Sequence, residues 1–144
     1  MHALMFFVPS NRLTRTGKPK GLDGLNEIIA ANRASMHAGA KLERENLQNV
    51  MQHAQAAMIR HQFKPIKGKA KVSIEIVEPN KKRDVSNVIA ASKYLLDGIT
   101  RPRGRKPGIG LIVDDSPRYC ELSITVNVVK GKAGAYITVE EMGE

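Results

Sequence analysis

Residues 70–99 read AKVSIEIVEPNKKRDVSNVIAASKYLLDGI, and the change of period inside this stretch decides the fold. Over 70–78 the apolar residues alternate, with Val72, Ile74 and Ile76 on one side and Ser73 and Glu75 on the other. A period of two belongs to a half-buried strand. Pro79 and Asn80 stop it. From Val85 the spacing becomes helical, with Val85, Val88, Ile89, Leu95, Leu96 and Ile99 on or near one face.

The flanks extend the same reading. Upstream, Leu47, Val50, Met51, Ala54 and Met58 fall at i, i+3, i+4, i+7 and i+11, which predicts a helix over 41–61. A weaker helical pattern begins at Leu25, and Gly39 is expected to divide the two. Residues 3–8 predict a short buried strand ended by Pro9, and 10–24 predict a loop. Downstream, 100–110 (TRPRGRKPGIG) is a basic loop and 111–113 a short apolar strand end. Residues 118–129 alternate, with Leu122, Ile124, Val126 and Val128 on one face, and 136–140 pair back as a hairpin. The order predicts an α+β fold: a small mixed sheet with helices packed on one face. The length suits one domain over 1–144, with 1–24 partly flexible loop.

The 144 residues carry 23 Lys+Arg against 14 Asp+Glu, a formal charge of +9. Residues 64–106 hold twelve of the bases and four of the acids, so +8 of the excess is local. A localised basic stripe fits contact with a phosphate backbone better than general solubility. The lone Cys120 excludes an internal disulfide and a Cys-rich zinc site, and reads as a small buried residue. The longest uninterrupted apolar run, 3–8, is too short to span a bilayer, and no signal-peptide pattern opens the chain. The expectation is a cytoplasmic protein with no membrane partner. Aromatic residues are 4% and Trp is absent, which disfavours binding by stacked bases. His2, His37, His53 and His61 have no metal spacing, and Ser10 and Ser116 lack a triad order.

Two acidic spots interrupt the basic region. Asp84 lies at the junction of the 70–78 strand and the helix after it, and Asp114-Asp115 directly follow Leu111-Ile112-Val113. Asp84 has an alternative reading as a helix N-cap, and Asp114 to Pro117 as a turn. Carboxylates at element ends among basic loops also suit a hard divalent cation beside a phosphodiester, the bases holding a polyanion that carboxylates alone would repel.

These residues resemble the RusA family of Holliday-junction resolvases of bacteria and phages. The resemblance is carried by Arg83-Asp84-Val85-Ser86-Asn87 at a helix start, then Lys93, then Ile112-Val113-Asp114-Asp115. It covers residues 70–144 best. Upstream, either Pro9-Ser10-Asn11-Arg12 or Gly24-Leu25-Asn26-Glu27 matches the family's N-terminal motif. The resemblance implies an α+β homodimer that binds four-way DNA junctions and cuts opposing strands with Mg2+, for which Mn2+ substitutes. It implies Asp84, Asp115 and Lys93 as catalytic, and Asp84, Asp114, Asp115 and Ser86 around the metal. It implies Lys81, Lys82, Arg83, Asn87, Arg101, Arg103, Arg105, Lys106 and Arg118 on the DNA.

Ser86 stands where the family has its second aspartate, and a hydroxyl is a weaker magnesium ligand than a carboxylate. The alternative is therefore a branched-DNA-binding protein of weak or no catalytic activity. Lys93 lies three residues beyond the family spacing, and about 100° of turn per residue returns it near the same helix face. Its alternative is a surface pair with Asp97, worth a few tenths of a kcal/mol.

Overall fold

The alternating run of 70–78 forms a strand over the same span, and every other element is arranged around it. The computed structural model of the chain describes residues 2–143. In chain order it contains β1 (Ala3–Pro9), β2 (Arg12–Leu13), β3 (Pro19–Lys20), α1 (Leu25–Ala34) and α2 (Met36–His61). There follow β4 (Ala70–Glu78), α3 (Val85–Ile89), α4 (Ser92–Ile99), β5 (Cys120–Val128) and β6 (Gly134–Glu141). The fold is mixed α+β. Four strands make a mixed sheet in the order β1-β6-β4-β5, in which only β4 and β5 run parallel. The parallel pair is possible because α3, α4 and the following loop supply the long crossover that such strands need.

The register lines up one apolar face in rows. Leu4, Val139, Val72 and Leu122 are neighbours across the sheet; so are Phe6, Ile137, Ile74 and Ile124, and Val8, Ala135, Ile76 and Val126. In β1, β6 and β4 these side chains are buried beneath the helices. On β5 the same rows emerge into solvent: Leu122 is 40% exposed, and Ile124 and Val126 are only half-buried. The expected hairpin of 136–140 on this strand is corrected: β6 inserts between β1 and β4, antiparallel to both, and β4 separates it from β5. The long α2 packs over β1, and of the helices only the five-residue α3 makes more than marginal contact with β5.

Four other boundaries differ from expectation, each for a local reason. The break between the first two helices falls at Ser35, whose hydroxyl accepts from Ala38 N–H at 2.9 Å and caps α2. Gly39 lies inside α2, where a Cβ would come within 2.0 Å of the Asn32 side chain, so it permits the close approach of α1. The 85–99 helix is divided at Ala90 and Ala91, where Val88 O accepts from Ala91 N–H in a tight 3₁₀-like turn. The 10–24 segment carries the small β2–β3 ladder. Residues 111–113 form no strand; Leu111 and Ile112 are fully buried, and Ile112 makes a single bridge with Thr100.

Gly98 sits where α4 meets α2. A Cβ there would lie 2.8 Å from Val50 Cγ1 and 2.9 Å from Val50 Cβ, and Val50 is wholly buried. Gly98→Ala is expected to cost about 1–3 kcal/mol in urea unfolding through overpacking. Gly68→Ala, with no heavy atom within 4 Å of the new methyl, should change stability by less than about 0.5 kcal/mol.

Candidate functional site

The connection from the Thr100–Ile112 bridge to the start of β5 brings Asp114 and Asp115 to the surface beside the basic loop. Arg103 and Lys106 bridge to each other across the tip of that loop, with Gly104 turning the chain at φ +55°. The tip places the Arg103 guanidinium over the aspartates. Its Nη2 donates to Asp114 Oδ1 and, at 3.1 Å, to Asp115 Oδ1. From α4, Lys93 Nζ lies 3.2 Å from Asp97 Oδ1 and 3.9 Å from Asp115 Oδ2. Lys106 Nζ lies 2.7 Å from Asp97 Oδ2. Lys93, Asp97, Thr100, Arg101, Arg103 and Lys106 line a cavity of about 260 Å³ beside the aspartates. Four cationic side chains against one carboxylate make that cavity suited to an anion of phosphate size.

The electrostatics follow from these contacts. Partial desolvation works against ionisation of Asp114. The backbone N–H of Asp115, the Ser116 hydroxyl and Arg103 outweigh it, and the carboxyl is held below its ordinary range. Asp114 is thus an anion throughout the neutral range. Desolvation first, then the carboxylates of Asp115 and Asp114, push the buried Cys120 thiol up. Cys120 is accordingly a protonated packing residue, as its strand position suggested.

Lys93 therefore stands beside one expected metal ligand, Asp115, as well as Asp97. Asp84 does not join them in a group of three carboxylates among the described residues. Asp84 lies exposed at the N-terminus of α3, where its backbone carbonyl accepts from Asn87 and Val88 N–H while its carboxylate makes no capping bond. Among the described residues no three His, Cys, Asp or Glu side chains stand together as a metal-holding group. Of the expected set Asp84, Ser86, Asp114 and Asp115, the structure brings Asp114 and Asp115 together on Arg103.

Two expected DNA contacts turn inward. Arg83 donates through Nε to Glu78 Oε1 at 2.9 Å, and through Nη2 to Glu78 Oε2 at 2.8 Å and to Leu22 O at 2.7 Å. Its Nη1 meets Glu27 Oε1 at 2.6 Å. Asn87, buried, accepts from Asn26 N–H at 2.8 Å and fixes the start of α1. Both N-terminal segments converge on the same network. Arg12 pairs with Asp23 and Glu27, and Glu27 caps Gly24 N–H at 2.7 Å. Lys81, Lys82, Arg101, Arg103, Arg105, Lys106 and Arg118 are exposed and available to a polyanion. Nothing in the sequence marked the Arg12–Asp23–Glu27–Arg83–Glu78 network, because it joins residues 12–27 to residues 78–83 across more than fifty residues of chain. Asp97 was legible only as the i+4 partner of Lys93.

Tyr94 closes the network from below, its buried hydroxyl donating to Asp23 O at 2.9 Å. Burial first, and then the Asp23 carboxylate, raise its pKa well above the usual phenol range. A phenol kept neutral by folding contributes stability that is whole below its unfolded pKa of about 10 and is lost as pH rises beyond it. Tyr94→Phe is expected to cost about 1 kcal/mol at neutral pH. The gap to the parent protein should narrow above about pH 10, as parallel urea titrations at the two pH values would show.

The pair fits a divalent cation in one respect that the structure displays. Two carboxylate oxygens, one from each aspartate, already converge on a single cationic nitrogen of Arg103. Magnesium is commonly held by one or two carboxylates together with substrate phosphates and water. The donor set Asp114 and Asp115, with basic residues placed for the phosphate, meets that requirement. Neither a scan against protein-family models nor a search of curated proteins finds a match to the chain.

Proposed function

We propose that the protein is a magnesium-dependent endonuclease of RusA type that cuts four-way DNA junctions, acting as a homodimer. The observation that carries this reading is the convergence of Asp114 and Asp115 on one cationic point inside the basic surface. Asp114 and Asp115 would hold the ion, with Mn2+ able to replace Mg2+. When bound, the ion supplies Lewis-acid polarisation of a phosphate oxygen and a more acidic water. Lys93, beside Asp115, is placed to neutralise charge developing on the phosphate. Asp97 holds the ammonium groups of Lys93 and Lys106 in position from opposite oxygens. Arg101, Arg103, Arg105 and Lys106 give the phosphate backbone its docking edge, and Lys81, Lys82 and Arg118 extend it. A two-fold dimer would match the symmetry of a junction and make paired cuts.

The experiment is incubation of the protein with an end-labelled four-way junction and a matched linear duplex in Mg2+, Mn2+ or EDTA. Nicks in opposing strands of the junction alone, absent in EDTA, are the expected result. Intact DNA in every lane would refute the nuclease reading. Salt-sensitive junction binding without nicks would favour the second reading, a branched-DNA-binding protein, which Ser86 in place of an expected aspartate motivates.

A further inference from the structure

We infer that the outer edge of β5 is a self-pairing surface, by which two copies of this chain join their sheets antiparallel across a two-fold axis. The inference names a face for the proposed dimer, but it rests on the sheet and not on the nuclease reading. β5 is an edge strand of nine residues, CELSITVNV, without proline or lysine. Its one charge, Glu121, lies next to its first residue, so the rest of the edge lacks the devices that normally discourage pairing.

The direction of its free backbone groups follows from the ladder. Tyr119 C=O accepts from Ala70 N–H, and Val129 N–H donates to Glu78 C=O. In a parallel ladder alternate residues bond to the same side, so the odd-numbered residues of β5 serve β4. Leu122, Ile124, Val126 and Val128 therefore direct N–H and C=O away from the sheet. Their side chains are also the under-covered apolar row, with Leu122 40% and Val128 44% exposed.

The occupant that fits is a second β5. Residues 122–129 (LSITVNVV) carry no charge in a chain of +9, so two like-charged copies meet least repulsion there. One antiparallel register uses every free group. Leu122 lies opposite Val128 of the partner subunit, and Ile124 opposite Val126 of the partner subunit, with Thr125 on the two-fold axis. That register forms about eight inter-strand hydrogen bonds and joins two apolar rows into one. Pairing with β1 of another copy would instead run on into filaments, because the same edges would stay open.

The test is the solution mass of the DNA-free protein by sedimentation equilibrium, with circular dichroism as the check on folding. The parent protein is expected at twice 15.8 kDa. Leu122→Lys with Val128→Lys sets like charges opposite each other and should give a folded monomer. Leu122→Lys with Val128→Glu sets opposite charges face to face and should restore the dimer. A folded parent protein that stays monomeric, forms longer oligomers, or keeps its dimer in the double-lysine variant overturns the inference. None of these samples contains DNA, so failure to cut a junction leaves the result standing.

Discussion

Arg83→Met is expected to lower the stability of the protein by about 3–5 kcal/mol, because it leaves a buried carboxylate without its partner. Glu78 is only 3% exposed, and both of its oxygens accept from Arg83. The same guanidinium binds Glu27 and the Leu22 carbonyl, so its loss takes a donor from four acceptor oxygens on three segments. Paired acceptors also hold the guanidinium charged: the hydrogen bond to Glu78 raises its pKa, burial opposes it, and the charges of Glu78 and Glu27 add to the rise. Arg83→Lys should recover only part of the loss, since one ammonium cannot reproduce a planar fork serving Glu78 from two nitrogens. Lys82→Met, one residue earlier and exposed, should unfold at the parent's denaturant midpoint. Urea titration of the three variants measures all of this. A midpoint for Arg83→Met equal to the parent's would show that the network is ornamental.

Asp115→Asn is expected to reduce junction cleavage in Mg2+ at least about a hundredfold. One of the two carboxylates proposed to hold the ion is gone, and several kcal/mol of charge stabilisation go with it. Asp115 is also the aspartate that Lys93 approaches, so the substitution loosens both groups. Asp84→Asn should cost less than about tenfold, because Asp84 is exposed and outside the cluster. Single-turnover nicking rates of the two variants make the comparison. Equal losses, or a larger loss for Asp84→Asn, would return Asp84 to the centre of the site.

The parts of the fold that were legible in the sequence are those fixed by local period. The strand 70–78 and the helical face of Leu47, Val50 and Ala54 were visible because one face of each must meet the core. The exposed row on β5 was not, because alternation says which residues share a face but not whether a helix covers it. Glycine's low helix propensity points to a break at Gly39, whereas Ser35 supplies the cap and Gly39 the space for Asn32. In the site, Asp114, Asp115 and the basic loop were legible as motif and charge. That Arg103 lies across both aspartates depends on a loop turn at Gly104, and that Arg83 turns inward depends on Glu78 and Glu27 arriving from other segments. Neither contact leaves a periodic trace.

The account rests on Asp114 and Asp115 forming a divalent-cation site, and Mn2+ titration followed by the electron paramagnetic resonance of the free ion tests this most directly. With junction DNA present, the parent protein is predicted to bind Mn2+ beyond what the DNA alone takes up, and Mg2+ should compete. Asp84→Asn should bind likewise, and Asp114→Asn with Asp115→Asn should bind no more than the DNA alone. Undiminished binding by the double variant, or none by the parent protein, would contradict the account.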